Sequence, residues 1–102
     1  MVVLEFSITP LGAGESVGQY VARAVDIIDR SGLNYQLHAM GTNVEGELDQ
    51  VLGVLRSCIE ALAVDCNRVT VSAKLDYRKD HSGLLAAKPQ RIERLLGREL
   101  RK

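Results

Sequence analysis

Apolar and polar side chains alternate along the first part of the chain, which is the pattern of a strand with one buried face. Within residues 2 to 9, VVLEFSIT, the side chains predicted to face the core are Val2, Leu4, Phe6 and Ile8. Those predicted on the opposite face are Val3, Glu5, Ser7 and Thr9. Pro10, Gly12 and Gly14 then interrupt the alternation. The sequence therefore predicts a half-buried first strand that is followed by a turn.

Two longer segments repeat their apolar residues every three or four positions, as amphipathic helices do. The first is predicted to open at Ser16, which can form a capping box with Gln19, and to stop at Gly32. Its inward stripe consists of Val17, Tyr20, Val21, Ala24, Val25 and Ile28. The second follows Gly46 and runs to about Val64, with an inward stripe of Leu48, Val51, Leu52, Leu55, Ile59 and Leu62. Each helix is therefore predicted to bury one face.

Three further strands are predicted, over Asn34 to Met40, Thr42 to Glu45 and Arg68 to Tyr77. In the short middle strand, alternation sends Thr42 and Val44 to one face and Asn43 and Glu45 to the other. A final helix is predicted to begin at Pro89, after a polar loop at residues 78 to 83, because proline suits the first turn of a helix.

The order of these elements predicts an α+β fold. It matches a ferredoxin-like β-α-β-β-α-β sandwich with a four-stranded antiparallel sheet and an added C-terminal helix. Since both long helices have a single apolar stripe, they are expected to cover the same face of the sheet and to leave the other face free of helices. The whole chain, 1–102, is expected to form one domain, because it is long enough for one core and too short for two.

Composition and charge exclude several classes of function. Thirteen basic and thirteen acidic residues cancel, so the electrostatic attraction that drives nucleic-acid binding is missing. The N-terminal apolar run, Met1 to Leu4, is too short for a membrane span or a signal peptide, so a cytoplasmic protein without a membrane partner is expected. Cys58 and Cys66 fit no disulfide or zinc spacing, and no metal or cofactor is expected.

Polar groups converge on the predicted helix-free face. The first and third strands are central neighbours in this topology, so Glu5, Ser7, Asn43 and Glu45 are expected to lie close together there. Such a face is also compatible with simple solvation, with Lys74 opposite Glu5 as a cross-strand ion pair. No nucleophile elbow, glycine-rich phosphate loop or Cys–His pair is present, so an enzyme is not expected.

Three segments resemble the MTH1187/YkoF-like family of thiamine-binding proteins. They are SVGQYVA at 16–22, SGLNYQLHAMGTNVEGE at 31–47 and RVTVSAKLDYR at 68–78. The most specific part is the pattern G-L-x-Y-x-L-x-x-M-G-T-x-x-E-G, here Gly32 to Gly46, with K-x-D-x-R at Lys74, Asp76 and Arg78 as weaker support. The resemblance implies a ferredoxin-like protein that forms dimers and commonly tetramers, and that binds thiamine or its hydroxymethylpyrimidine portion without catalysis.

The resemblance also gives the polar residues roles. It implies that Glu45 accepts a hydrogen bond from the aminopyrimidine and that Glu5 or Asp76 offsets the thiazolium cation, near a subunit boundary. The remaining candidates would orient the ligand by hydrogen bonds, stack on it or lie near a phosphate: Ser7, Ser16, Thr42, Asn43, Tyr35 and Lys74. The alternative is a structural or regulatory homo-oligomer in which no ligand site is retained and the polar face is only a subunit interface.

Overall fold

The computed structural model describes residues 1–12, 17–80 and 82–101, so Ser16 lies outside the described residues. Its elements are β1 (Val2–Leu11), α1 (Val17–Arg30), β2 (Asn34–His38), β3 (Gly41–Gly46), α2 (Leu48–Ala63), β4 (Arg68–Tyr77) and α3 (Leu84–Leu96). The four strands form one antiparallel sheet in the order β2-β3-β1-β4. The predicted α+β, ferredoxin-like architecture with a C-terminal helix is confirmed.

The core lies between the sheet and the pair of helices α1 and α2. The even-numbered residues of β1 face this side, as the alternation predicts, and each is at most 6% exposed. Val44 of β3 joins them, and the helices contribute Ala24, Ile28, Val51, Val54, Cys58 and Leu62. Full burial of a side chain such as Leu or Ile contributes about 1.5–3 kcal/mol, so this layer dominates the stability of the fold.

Two predicted boundaries were wrong. The strand β2 ends at His38 and not at Met40, because residues 39 and 40 form the turn into β3. The helix α3 begins at Leu84 and encloses Pro89, where the prediction placed its start. The five residues before the proline, Leu-Leu-Ala-Ala-Lys, are all good helix formers, and this propensity outweighs the backbone hydrogen bond that proline cannot make.

Unequal strand pairing leaves a notch in the sheet. The β1–β4 register runs without a break to Leu11↔Arg68, whereas the β1–β3 register stops at Phe6↔Thr42. At this point the backbones are close, since a Cβ atom on Gly41 would lie 2.6 Å from the carbonyl oxygen of Phe6. Residues 7–11 of β1 therefore have a strand on one side only.

The helix α3 covers part of the face that was predicted to be free of helices. It contacts β1, β2 and β3. The backbone N–H groups of Leu84 and Leu85 in its first turn donate to the carboxylate of Glu45, which lies on that face. The expectation of a fully helix-free face was therefore wrong, because a carboxylate among the strands supplies a partner for the N-terminus of a third helix.

Candidate functional site

A cavity of about 210 Å³ occupies the notch, between α1 and the turn that joins β2 to β3. Its apolar walls include Phe6, Ile8, Ala24, Ile28 and Leu37, and its polar lining residues are Ser7, Thr9, His38 and Thr42. The cavity lies at the end of the β1–β3 pairing. Mostly apolar walls with a few polar groups are the usual composition of a small-molecule site.

The backbone of Ile8 faces this cavity without a strand partner. Met1 and Arg78 exchange two hydrogen bonds of 2.9 Å, which marks the odd-numbered residues of β1 as those that bond to β4. The even-numbered residues therefore direct their N–H and C=O groups to the β3 side, in agreement with the carbonyl of Phe6 beside Gly41. No β3 residue is in register with Ile8, so one N–H and one C=O of the same residue point into the notch.

Thr42 supplies a hydroxyl on the cavity wall. The residue is only 5% exposed and lies opposite Phe6, on the side of the sheet that α1 and α2 cover. Within the described parts of the chain the Thr42 hydroxyl makes no hydrogen bond. Every fully buried side-chain N or O atom in those parts has a hydrogen-bond partner, so the Thr42 hydroxyl is not fully buried. The hydroxyl is therefore directed to the open space of the cavity, where it can bond to a ligand.

A second polar group lies at the rim of the cavity, on the opposite face of the sheet. The Nε2 atom of His38 is 3.2 Å from Oδ1 of Asn43 and 3.8 Å from Oε2 of Glu5. The N–H of Met40 donates to Nδ1 of His38 over 3.3 Å, so the neutral ring carries its hydrogen on Nε2 and donates it to Asn43. Glu5 remains 55% exposed at its side chain, and its carboxylate lies beside the imidazole of His38, which lines the cavity.

Glu45 has a different environment. Its residue is 6% exposed, and its carboxylate accepts from the N–H groups of Leu84 and Leu85 and, over 3.3 Å, from Nδ2 of Asn34. A buried carboxylate at a helix N-terminus is stabilised by these donors and by the helix dipole. The carboxylate of Glu45 therefore holds α3 against the sheet.

The other predicted site residues lie apart from the cavity. Tyr35 donates its hydroxyl to Asp29 over 2.8 Å, and this hydrogen bond to the carboxylate raises the pKa of Tyr35. Lys74 lies opposite Glu5 in the register, but no ion pair between the two is formed. Asp76 is bound by Arg78 at 3.2 Å. Of the nine candidates, Ser7 and Thr42 line the cavity, and Glu5 and Asn43 adjoin it through His38.

Sequence reasoning missed the unpaired N–H and C=O of Ile8, since these groups belong to the backbone of a residue assigned to the core. A signal was present in the predicted strand lengths. Eight residues were predicted for the first strand and four for the third, so part of the first strand had to lack a neighbour on that side. The same difference in strand lengths leaves Leu37 and the turn at residues 39–40 as walls of the cavity.

Two further groups of findings limit the chemistry. Cys58 is fully buried, its thiol lies 3.6 Å from the carbonyl of Ala24, and burial raises its pKa to about 11, so it is an unreactive packing residue. Among residues 1–12, 17–80 and 82–101, no cluster of three or more potential metal ligands is formed. The helices described in this range are all too short or too polar to cross a membrane.

Comparison with known proteins agrees with this architecture. The chain is 38% identical over 94 residues to the UPF0045 protein MJ1052 of Methanocaldococcus jannaschii, covering 92% of this chain and 94% of that one. It is 37% identical to the UPF0045 protein sll0230 of Synechocystis over 90% of this chain and 77% of that one. The crystal structure of MJ1052 superimposes with a TM-score of 0.76, at 36% identity, covering 94% and 95% of the two chains.

A more distant structure shares the fold. The protein TM0486 of Thermotoga maritima, which is provisionally assigned to thiamine biosynthesis or salvage, has a TM-score of 0.77 at 18% identity, covering 88% of this chain and 97% of that one. The family model described as "Thiamine-binding protein" matches residues 4–93, which include β1 from Leu4 onward, the other three strands, the cavity and most of α3. The resemblance found in the sequence is confirmed, and the chain belongs to the thiamine-binding protein family.

Proposed function

We propose that this protein binds thiamine or its hydroxymethylpyrimidine portion, without catalysing a reaction, in the cavity at the notch of the sheet. The observation that carries the proposal is the unpaired backbone of Ile8 in the cavity wall. Membership of the thiamine-binding family supports the class of ligand.

The hydrogen-bonding edge of the aminopyrimidine ring matches the backbone N–H and C=O of one residue in a strand segment that lacks a partner. Its exocyclic amine is a donor next to a ring nitrogen that accepts, and Ile8 offers an acceptor and a donor side by side, as it would to a neighbouring antiparallel strand. The amine donates to the C=O of Ile8, and the N–H of Ile8 donates to the ring nitrogen. The hydroxyl of Thr42 serves the next polar atom, while Phe6 and Leu37 contact the apolar faces of the ring.

The position of Glu5 suits the cationic part of thiamine. Its carboxylate lies 3.8 Å from His38, and His38 lines the cavity, so the thiazolium can approach Glu5 when the pyrimidine ring is inside. Glu5 is half exposed, so its attraction for the cation is screened and contributes about 0.2–1 kcal/mol. The pyrimidine contacts therefore account for most of the affinity, and the cation contributes to selectivity.

Calorimetric titration tests the proposal with two ligands. Thiamine is expected to bind, and its 4-oxo analogue is expected to bind at least about tenfold more weakly, because a carbonyl replaces the amine and faces the carbonyl of Ile8. Equal binding of the two ligands would contradict the backbone contact. Absence of heat with thiamine and with hydroxymethylpyrimidine would instead favour the structural or regulatory oligomer without a ligand site.

Variants separate the backbone contact from the side-chain contacts. Ile8→Pro removes the N–H that faces the notch and spares the β4 pairing, since Pro10 occupies the same orientation two residues later. We expect it to weaken thiamine binding more than Ile8→Ala, which keeps the N–H. Thr42→Val should also weaken binding, whereas Thr70→Val on β4 should not. Mass analysis after incubation should recover thiamine unchanged, and any turnover would refute a purely binding role.

A further inference from the structure

The imidazole of His38 lies where the cavity meets the polar face of the sheet. His38 is the last residue of β2 and pairs with Gly41 across the tight turn at residues 39–40. Its ring lines the cavity, and its Nε2 atom lies 3.8 Å from Oε2 of Glu5. The charge of this ring therefore acts both on the rim of the cavity and on the carboxylate beside it.

The neutral ring has hydrogen-bond partners for both of its nitrogen atoms. Nε2 donates to Oδ1 of Asn43 over 3.2 Å, and Nδ1 accepts from the N–H of Met40 over 3.3 Å. A second proton can be added only to Nδ1, where it would face the N–H of Met40. Protonation of His38 therefore replaces this hydrogen bond by a contact between two donors, in a turn that forms part of the cavity wall.

Glu5 is the ion-pair partner of His38 among the described residues. Lys74 of β4 lies opposite Glu5 in the register, and Asp29 of α1 is bound by Tyr35 of β2. The charged residues of α3, which also contacts β2, are Lys88, Arg91, Glu93 and Arg94. Carboxylates, lysines and arginines do not ordinarily change charge between pH 6 and pH 8, whereas histidine does. His38 is therefore the group that changes the charge at the rim of the cavity in this range.

We propose that the charge of His38 sets how strongly the site prefers thiamine, which is a permanent cation, over its neutral hydroxymethylpyrimidine portion. When the ring is neutral, the carboxylate of Glu5 attracts the thiazolium. When the ring is protonated, the imidazolium pairs with Glu5 and repels the thiazolium, so the preference is lost. The inference rests on the proposed function, because it concerns the selectivity of the same cavity.

The two effects of protonation act in the same direction. The side chains of His38 and Glu5 are 32% and 55% exposed, so solvent screens each effect to about a two- to fivefold change in affinity. Together they should make the preference for thiamine about threefold or more stronger at pH 8 than at pH 6. Hydroxymethylpyrimidine contains the same ring as thiamine, so the ratio of the two affinities cancels titration of that ring and any shared effect of the turn at residues 39–40.

Calorimetric titration of the full-length protein with both ligands, at pH 8 and pH 6 and at one ionic strength, tests the inference. His38→Gln, which is neutral at both pH values, should make the affinity ratio independent of pH. His81→Gln removes the other histidine of the chain and is the matched control, which should keep the pH dependence. A ratio that is equal at both pH values in the natural sequence, or one that still falls at pH 6 in His38→Gln, would overturn the inference.

Proton release gives a second measurement. Because the neutral ring favours thiamine, binding at pH 6 should displace a fraction of a proton from His38, and the heat should then depend on the ionisation enthalpy of the buffer. Hydroxymethylpyrimidine should release less, and His38→Gln should abolish the difference. Proton uptake, or equal release with both ligands, would overturn the inference alone. Absence of thiamine binding at pH 8 would instead overturn the proposed function, and this inference with it.

Discussion

The replacement of Glu45 by glutamine tests how the C-terminal helix is held on the sheet. The carboxylate of Glu45 accepts from two N–H groups in the first turn of α3 and from Asn34. Few other attachments are available to α3, because none of its residues is buried. Glutamine keeps the length of the side chain and one acceptor oxygen, so the change removes the charge with little change in shape.

The expected loss follows from the difference between charged and neutral acceptors. Hydrogen bonds to a charged group contribute about 1.5–3 kcal/mol, and neutral ones about 0.5–1.5 kcal/mol. A negative charge in a partly buried site at a helix N-terminus adds up to about 2 kcal/mol. Because the remaining oxygen still accepts from Leu84 or Leu85, we expect Glu45→Gln to weaken the attachment of α3 by about 1–2 kcal/mol.

Hydrogen exchange measured by mass spectrometry can locate this loss. A change of 1–2 kcal/mol should accelerate exchange of the amides in α3 by about 5- to 30-fold, while the amides of β1 keep their protection. Glu60→Gln, an exposed substitution on α2, is the control. Unchanged exchange in α3 would refute the reasoning. Thiamine titration of the same variant then tests the direct role that the family resemblance implies for Glu45, since a carboxylate that only holds α3 should leave the affinity nearly unchanged.

Two further predictions concern stability. Gly41→Ala should lower the free energy of unfolding in urea by about 2 kcal/mol or more, because the new Cβ would lie 2.6 Å from the carbonyl oxygen of Phe6. Gly53→Ala, on an open helix surface, is the control and should not destabilise the protein. Equal effects of the two substitutions would refute the close approach. The second prediction concerns pH. Burial raises the pKa of Cys58 from 9.0 to about 11, so its contribution to stability is complete below pH 9 and is lost as the pH rises through 11. The unfolding free energy should fall by about 2–3 kcal/mol over this range, and Cys58→Ala should reduce that slope.

The arrangement of the core was predictable because it depends on local periodicity. Alternation in β1 and the stripes of α1 and α2 require no knowledge of distant contacts, and residues such as Leu4 and Ile28 are buried as predicted. The predicted faces of Asn43 and Glu45 also follow from alternation, and the register that pairs them with Glu5 and Val3 agrees with it.

The position of α3 was not predictable in the same way. Its contact with the sheet depends on one carboxylate that meets two backbone N–H groups 39 and 40 residues away in the chain. Periodicity does not encode such a contact, and Pro89 suggested a later start. The cavity was missed for a related reason, since the end of the β1–β3 pairing is a tertiary property that appears in the sequence only as a difference in strand lengths.

The segment that carries the family resemblance has a physical explanation at four of its fixed positions. Gly41 permits the close approach to Phe6 at the point where the β1–β3 pairing ends and the notch begins. Thr42, the next residue, places a hydroxyl in the cavity that the notch provides. Glu45 binds α3 from the opposite face. At Gly46 a Cβ atom would lie 3.2 Å from the side chains of Leu33 and Gln50, so this position also favours glycine. Alternation thus allows one short strand to line a cavity on one face and to anchor a helix on the other.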